Sequence, residues 1–352
     1  MAPSGGAVPH PGSAKNFLLT GCKLALAIGL VVYLIRRGDI AWDPIQSSLD
    51  RWQFSLLALL LLALTPLAQL WRWQNLLRAS RLYLPTREVF SCLMGAKFLN
   101  MALPGYIGGD VLRGFYVSRR ASGSGFPPGG ELSAGPSKVL PSIVFDRMAG
   151  LLPLFVLALA GSLGGLWYDL PPRMLFFVAC LSITGVAGTL GIFWLAYRCS
   201  EPPDLLARVS KKLRLHRLFS TLHESSHQYV RNLKLMRTVL GISFLSQGLI
   251  LLSFVLFGIA LDLRIPMISY LILVPLGLMV TAVPISPAGL GVGQVAFLAL
   301  FRMVGTSHGA NLFTFYMAAS AMINLSGALM IPFFRLRAPL TPPANLARAE
   351  EP

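Results

Sequence analysis

Apolar runs of roughly 18 to 23 residues recur along nearly the whole chain, and no other sequence feature constrains the fold as strongly. A run of this length, wound as an α-helix that rises about 1.5 Å per residue, spans a hydrocarbon layer of ~30 Å. The chain is 55% hydrophobic and only 12% charged, whereas an ordinary soluble domain carries about 25% charged residues. The sequence therefore excludes a water-soluble globular protein and predicts an all-α polytopic membrane protein.

Six of the apolar runs are long enough to be full membrane spans: 17–35, 54–71, 141–163, 174–197, 238–261 and 312–334. Other stretches are shorter. The first, 89–103, stops at Pro104; the second, 268–283, stops at a proline break and is followed by another short run, 291–304. We interpret these as two broken or re-entrant hairpins, the alternative being that one or both cross fully with a tilt.

The basic residues are distributed unevenly between the connecting segments. With the N-terminus, residues 72–88, 113–138, 198–237 and the tail on one side, that side holds 21 Lys and Arg, against 6 on the other. The positive-inside rule places the more basic side, and with it both termini, in the cytoplasm. This topology is consistent only if the hairpin at Pro104 opens to the cytoplasm and the hairpin at Pro284 opens to the outer side.

The two halves of the chain then form an inverted repeat, as in many transporters, with the halves at about 54–163 and 238–335. Together with the first span they make a single transmembrane domain at 17–335, flanked by a disordered N-terminus at 1–16 and a disordered tail at 336–352. Residues 204–234 mix apolar and basic side chains, which favours an amphipathic cytoplasmic helix lying on anionic lipid, or a protein-docking helix.

A glycine-rich polar segment follows the first short apolar stretch. Pro104 frees backbone hydrogen-bonding groups, and such irregular backbone at membrane depth is tolerated only where it is buried or lines a wet cavity. Asp110 and Arg113, three residues apart, pair with each other or present a charge to a ligand; the alternative is a helix cap beside an interfacial Arg. The candidate substrate-binding residues here are Asn100, Pro104, Gly105, Gly108, Gly109, Asp110 and Arg113.

The second break repeats this pattern: a proline, several glycines and a polar side chain that opens the next helix. The free N-terminus of that helix offers N–H groups to an anionic headgroup, and the alternative is a packing face of small residues. The candidate residues are Ser286, Gly289, Gly291 and Gln294.

Three more charged residues, Lys97, Asp146 and Arg147, lie inside apolar segments. A charge at membrane depth costs about 3 kcal/mol on insertion scales, so it usually faces a partner or a polar cavity. Lys97 is a plausible counter-ion for Asp146 or Asp110. For Arg147, extension of the side chain to the cytoplasmic surface explains the position as well as a substrate role does.

No metal or cofactor is expected. The four cysteines lie in or beside apolar segments without a CxxC pair, which indicates packing residues. Residues 223–227 match HExxH, but they lie in the most basic loop, which repels a dication, and a suitable third ligand is missing. The sequence contains no nucleotide-binding loop, no dinucleotide fingerprint and no convincing nucleophile and base pair, so ATP-driven transport by this chain alone is not expected, and neither is an enzymatic activity. No soluble stretch is long enough for a nucleic-acid-binding domain.

The two proline and glycine segments, with Trp71-Arg72-Trp73 and Asp146-Arg147, resemble the lysylphosphatidylglycerol synthase transmembrane-region family, also described as flippase-like membrane proteins. The resemblance runs from about residue 70 to residue 335. It implies a protein of the bacterial or archaeal cytoplasmic (inner) membrane that moves or handles lipids, in some relatives fused to a soluble transferase domain. It also implies that Asp110, Arg113 and the Asp146-Arg147 pair are functional.

The leading hypothesis is a lipid flippase or scramblase that passes an anionic headgroup through a polar cavity between the two hairpins. Arg113, Arg147 and Lys97 meet the phosphate, and the two aspartates tune or release it. One alternative is a membrane-embedded enzyme or enzyme subunit that modifies a lipid-linked sugar or phospholipid. Another is a non-transporting protein that docks a separate lipid-modifying synthase through residues 204–234.

Overall fold

A computed structural model describes residues 43–102, 107–122, 134–168, 170–198, 226–283, 286 and 289–333, with isolated positions between 29 and 36. The regular secondary structure of these residues is all helix, as the sequence predicts. The helices are α1 (Asp43–Asp50), α2 (Trp52–Ala79), α3 (Thr86–Ala102), α4 (Ile107–Ser122), α5 (Ala134–Gly164), α6 (Pro172–Arg198), α7 (Leu233–Ala260), α8 (Met267–Ala282), α9 (Val292–Arg302) and α10 (Gly309–Leu325). Two 3₁₀ segments, Gly165–Trp167 and Ser326–Phe333, extend α5 and α10.

Five helices are long and apolar enough to cross a membrane: Trp52–Ala79, Val139–Trp167, Pro172–Arg198, Leu233–Ala260 and Gly309–Met330. Each coincides with one predicted span. The sixth predicted span, 17–35, lies outside the described residues apart from a few helical positions, and so do the segments 1–16 and 336–352. Of the segment 204–234, residues 226–231 are helical, and Asn232 caps α7 by accepting a hydrogen bond from the Leu235 N–H.

The helices at the two predicted breaks are short. Helix α3 has 17 residues, α8 has 16 and α9 has 11. At a rise of about 1.5 Å per residue these lengths reach roughly 26, 24 and 17 Å, less than the ~30 Å of a hydrocarbon core.

Helices α3 and α4 form an antiparallel hairpin. At its open end, Arg120 Nη2 donates to Glu88 Oε1 at 2.7 Å, and at its closed end the Gly109 N–H donates to Asn100 Oδ1 at 2.8 Å. The open end adjoins the C-terminus of α2, where Gln74 Nε2 donates to Thr86 Oγ1 at 2.9 Å. The chain therefore enters and leaves this hairpin at the same end of the bundle.

Helices α8 and α9 form a second hairpin. The rings of Tyr270 and Phe301 lie 6.0 Å apart near its open end, and Gly277 packs directly against the Phe297 ring farther along. At the turn, Gly289 and Gly291 have φ values of +77° and +80°, a conformation that glycine adopts without the steric cost of a side chain.

Helices α2 and α7 run antiparallel, so the hairpins that follow them open at opposite ends of the bundle. Arg51 Nη1 donates to Ile259 O at 3.0 Å, and Ser253 Oγ donates to Ala58 O at 3.1 Å. The first hairpin opens where α2 ends, as the contact of Gln74 with Thr86 shows. The second hairpin opens where α7 ends, as the contact of Gly258 with the Tyr270 hydroxyl shows. We call the end of the bundle where α2 ends and α7 begins the basic end, because it carries Arg78, Arg81, Lys234 and Arg237.

The packing of α2–α5 is repeated in α7–α10. The contacts α2 with α3, α3 with α4, α4 with α5 and α2 with α5 have counterparts in α7 with α8, α8 with α9, α9 with α10 and α7 with α10. The contacts between the halves follow the same exchange: α10 packs on α2 and α3, and α5 packs on α7 and α8. Helix α6 lies outside this scheme and packs on α5.

Gly327 tests the packing between the halves. An added Cβ would press against the backbone carbonyl oxygen of Met94 on α3, and a backbone atom cannot yield as a side chain can. We expect Gly327→Ala to lower the free energy of unfolding by about 1–3 kcal/mol, measured by denaturant titration in detergent. Gly241→Ala is the matched control, because its Cβ meets nothing within 4 Å. A loss of stability at Gly241 as large as that at Gly327 contradicts this packing.

Candidate functional site

Six charged side chains from four helices converge toward the basic end of the bundle. We call them the charge cluster: Arg72 of α2, Lys97 of α3, Asp110 and Arg113 of α4, and Asp146 and Arg147 of α5. Five of the six are residues that the sequence singled out. The first hairpin and α5 therefore bring together most of the predicted site around the N-terminal turn of α4.

Asp146 is at the centre of the cluster and binds two arginines. Arg72 Nε donates to Asp146 Oδ1 at 2.6 Å, and Arg113 Nη2 donates to Asp146 Oδ2 at 3.2 Å. The exposed fractions of these three side chains are only 9%, 6% and 6% for Arg72, Arg113 and Asp146. Burying unpaired charges costs several kcal/mol per ion, so each of these groups depends on its partners.

Arg72 ties three helices together. Besides its bond to Asp146 of α5, its Nη1 donates to Ser243 Oγ of α7 at 3.0 Å. Gly150 of α5 lies against the guanidinium, where an added Cβ would come within 3.2 Å of Nη1. A guanidinium is suited to this position because its donors point in fixed directions in one plane.

Arg113 is held by an aromatic ring as well as by carboxylates. Its Cζ lies 4.0 Å from the centre of the Trp73 ring, a distance typical of a cation–π contact. The indole of Trp73 is fixed in turn, because Nε1 donates to Ser142 Oγ at 3.3 Å. The Nε of Arg113 is buried and has no hydrogen-bond partner in the described part of the chain.

Asp110 is the second carboxylate of the cluster and is more open to its surroundings. Arg147 makes a bidentate contact with it: Nε donates to Oδ2 and Nη2 donates to Oδ1, both at 3.1 Å. Arg113 Nη1 lies 3.6 Å from Asp110 Oδ1, which is the pairing that the three-residue spacing predicts. The Asp110 side chain is 26% exposed and that of Arg147 is 44% exposed, so this pair lies at the rim of the cluster.

Lys97 lies within electrostatic range of Arg72, Arg113, Arg147 and Asp146. It makes no hydrogen bond or ion pair with any residue that the structure describes. The prediction that Lys97 is a direct counter-ion of Asp146 or Asp110 is therefore not met, because the arginines occupy both carboxylates.

Asn100, Gly108 and Gly109 lie at the closed end of the first hairpin. Asn100 Oδ1 accepts the Gly109 N–H, and a Cβ at Gly109 would collide with the Ala96 carbonyl oxygen. Glycine is required there because the two helices approach at backbone distance. The predicted residues Pro104 and Gly105 lie outside the described residues.

The candidates of the second hairpin make contacts within their own half. Gln294 Oε1 accepts the Gly291 N–H at 2.7 Å, and Gln294 Nε2 lies 3.7 Å from Met317 Sδ. Gly289 packs against Thr281, and the hydroxyl of Ser286 is buried without a hydrogen-bond partner in the described residues. Across the described residues, no hydrogen bond or ion pair connects this group with the charge cluster.

Three residues of the site were not among the predicted site residues: Arg72, Trp73 and Ser243. The first two belong to the WRW motif that carries the family resemblance, but that motif was not given a role in binding. The apolar run ends at Trp71, so we expected Arg72 to lie outside the membrane span, whereas α2 continues to Ala79. The available signal was the WRW pattern, a charge between two aromatic residues that suit a membrane interface. Ser243 gives no such signal, since a serine in an apolar helix is common.

No metal centre is evident in the described segments, where no group of three His, Cys, Asp or Glu side chains lies close enough to hold an ion. In the HExxH match, His227 Nδ1 lies 2.6 Å from the Ala196 carbonyl oxygen. His223 and Glu224 lie outside the described residues.

The fold and the charge cluster define an integral membrane protein of the all-helical class, with a buried ionic network beside a short helical hairpin. The chain matches the family model of the lysylphosphatidylglycerol synthase TM region over residues 22–325. It therefore belongs to that family, a membrane domain of lipid-related proteins, as its motifs predict. No curated protein and no solved structure matches the chain.

The two aspartates are expected to differ in their effect on stability. Asp146→Asn leaves the buried Arg72 without a carboxylate and leaves Arg113 only its 3.6 Å contact with Asp110, so the free energy of unfolding falls by about 3–5 kcal/mol. Asp110→Asn is the matched comparison, and it costs less because Asp110 is partly exposed and its solvated arginine partner is screened. Denaturant titration in detergent measures both, and equal losses would contradict the assignment of Asp146 as the centre.

Proposed function

We propose that this protein is a lipid transporter, a flippase or scramblase, that binds the phosphate of an anionic headgroup at the charge cluster and is not an enzyme. The observation that carries the proposal is the excess of positive charge in the cluster. Four cations face two carboxylates within the described residues. An excess of charge at membrane depth is costly unless a ligand of opposite sign neutralises it.

The donor types also fit a phosphate. Arginine presents N–H groups as a planar fork that matches phosphate and carboxylate oxygens, whereas lysine acts as a compact point charge. The cluster combines both, with a fork already formed at Arg147 and an uncommitted ammonium at Lys97. The headgroup belongs to a phospholipid or to a lipid-linked anion.

The proposed architecture of the protein is an inverted repeat with two re-entrant hairpins and six full spans, including 17–35. Three observations support it: α2 and α7 run antiparallel, the two hairpins open at opposite ends, and the packing pairs of α2–α5 recur in α7–α10. In transporters of this kind the substrate passes where the two broken elements face each other near the midplane. The headgroup therefore moves from the charge cluster through a cavity between the hairpins, toward Gly291 and Gln294.

An apolar groove beside the first hairpin suits the acyl chains of the same lipid. It has a cavity volume of about 430 Å³ and is lined by α2, α3, α10 and the 3₁₀ segment, including Pro66, Phe90, Met94 and Ile323. Along α3 the lining ends at Met94, one turn before Lys97. A lipid with its headgroup at the cluster can lay a tail in this groove without leaving the apolar environment.

The proposed setting is the bacterial or archaeal cytoplasmic membrane, with both termini in the cytoplasm and the basic end facing the same side. This follows from the basic residues at that end, which anionic lipid and the insertion machinery retain inside. A separate lipid-modifying synthase is a further proposed partner, docking on residues 204–234.

Replacing Arg113 tests the transport proposal. In vesicles with fluorescent anionic, zwitterionic and polyprenyl-phosphate lipids, we expect a leaflet-accessibility assay on the wild type to show movement of an anionic lipid. We expect Arg113→Ala to reduce the rate by a factor of about 100, and Arg113→Lys by about 10 or more, because lysine keeps the charge but loses the fork and the contact with Trp73.

Arg264→Ala is the control for loss of a single cation, because Arg264 is 87% exposed and distant from the cluster. It is expected to keep the wild-type rate. Equal rates in Arg113→Lys and wild type would refute the role of the guanidinium. A folded wild type that moves none of these lipids would refute the transport proposal and favour the enzyme or the docking protein.

Cysteine labelling tests the re-entrant topology. With the native cysteines replaced by alanine, single cysteines at Arg81 and Ser122, on either side of the first hairpin, are expected to react from the same side of sealed vesicles. Cysteines at Arg264 and Thr306, on either side of the second hairpin, are expected to react only from the other side. Labelling of residues 81 and 122 from opposite sides would show that this segment crosses the membrane.

A further inference from the structure

Asp110 occupies the place of an anionic ligand within the charge cluster. Its two oxygens take the fork of Arg147 at 3.1 Å and lie 3.6 Å from Arg113 Nη1. A phosphate with two free oxygens makes the same kind of paired contact with a guanidinium. The Asp110 carboxylate therefore makes the kind of contact with Arg147 that a phosphate could make in its place.

The two carboxylates differ in how firmly they are held. Asp146 accepts a hydrogen bond at 2.6 Å, and its side chain is 6% exposed, whereas the closest contacts of Asp110 are 3.0 Å or longer and its side chain is 26% exposed. Moving Asp110 into water costs little free energy, because its side chain is already partly exposed and the buried Arg113 keeps Asp146 as a partner. Releasing Asp146 would leave the buried Arg72 without a carboxylate and Arg113 with only its contact to Asp110. Asp110 is the carboxylate that an incoming anion can displace.

Two donors of the cluster are uncommitted within the described residues. The Arg113 side chain is buried, with the residue only 5% exposed, and its Nε has no hydrogen-bond partner in this part of the chain. The Lys97 ammonium, on the neighbouring helix, has no ion-pair partner among the described residues. It is repelled electrostatically by Arg72, Arg113 and Arg147. A buried unpaired donor such as the Nε of Arg113 costs about 1–3 kcal/mol, which an anionic acceptor removes.

The size of the charge excess indicates the charge of the ligand. Four cations and two carboxylates leave two positive charges in the described cluster. A phosphodiester headgroup such as that of phosphatidylglycerol carries one negative charge, whereas a phosphomonoester carries about 1.5 to 2 at neutral pH. Only the phosphomonoester brings the cluster close to neutrality.

Resting on the proposed function, we propose that the cluster selects a lipid with a terminal phosphate, a phosphomonoester, over phosphodiester lipids, and that this phosphate displaces Asp110 from Arg147 and Arg113. Lys97 and the Nε of Arg113 become its additional donors. Asp110 thereby competes with the ligand for the two arginines. A singly charged headgroup binds them too weakly to displace it.

Binding in detergent tests this independently of transport. Isothermal titration calorimetry compares dihexanoyl phosphatidic acid with dihexanoyl phosphatidylglycerol, which share acyl chains and differ in the headgroup. We expect the phosphatidic acid to bind about tenfold or more tightly. Equal affinities for the two lipids would overturn the proposal.

Two variants address the residues. Lys97→Gln is expected to weaken phosphatidic acid binding about tenfold and to reduce the preference over phosphatidylglycerol. Asp110→Asn, which removes the competitor, is expected to strengthen binding of both lipids several-fold. Arg264→Gln, the control for loss of one exposed cation, keeps the wild-type preference. If Asp110→Asn fails to fold, as shown by gel filtration, Lys97→Gln decides alone; an unchanged preference in that variant would overturn the proposal.

Inorganic phosphate separates a lipid from a free anion. It is expected to bind at least tenfold more weakly than phosphatidic acid, because it lacks the acyl chains, and equal affinity would overturn the assignment of a lipid. The outcomes also separate the two proposals. Selective binding in detergent without lipid movement in vesicles refutes transport alone, and movement of both headgroups with equal affinities refutes the selectivity alone.

Discussion

The salt bridge of Asp146 with Arg72 and Arg113 is the interaction on which the rest of the site depends. All three groups are buried, and each would carry a large desolvation penalty without the others. Through these residues and Ser243 the network connects α2, α4, α5 and α7. An apolar contact would allow these helices to slide or rotate, whereas directed hydrogen bonds between charged groups fix their register. The first hairpin is held against the bundle at the depth that this network sets.

The same cluster has an enclosed part and a more open part. Asp146 is enclosed by the two arginines, while Asp110 at the start of α4 is partly exposed and shared between Arg147 and Arg113. Gly109 permits the close approach of α3 and α4 that brings Lys97 and Asp110 to the same region. In the proposed function, stability and ligand exchange therefore fall to different carboxylates of one cluster.

The two halves repeat one packing scheme with different chemistry. The first hairpin is joined to its surroundings by charges, whereas the second is packed by aromatic rings: Phe297 contacts Phe254, Phe301 and Phe313. Gln294 binds the backbone of its own helix start, so its polar groups are largely satisfied locally. In the proposed inverted repeat, this asymmetry places the charge cluster on the basic side and a tightly packed apolar element on the other.

The sequence by itself determined the class of protein, the five long helices and the positions of the two breaks, because apolar length and Gly or Pro act locally along the chain. It also identified Asp110, Arg113, Asp146 and Arg147 as charges that need partners. The partners were decided only by the tertiary structure. Lys97 was expected to neutralise an aspartate, but Arg72 pairs with Asp146 instead. Arg72 lies on a helix that continues for about two turns beyond the end of the apolar run. Hydropathy marks where apolar residues end, whereas backbone hydrogen bonds decide where the helix ends, and packing decides which charges meet.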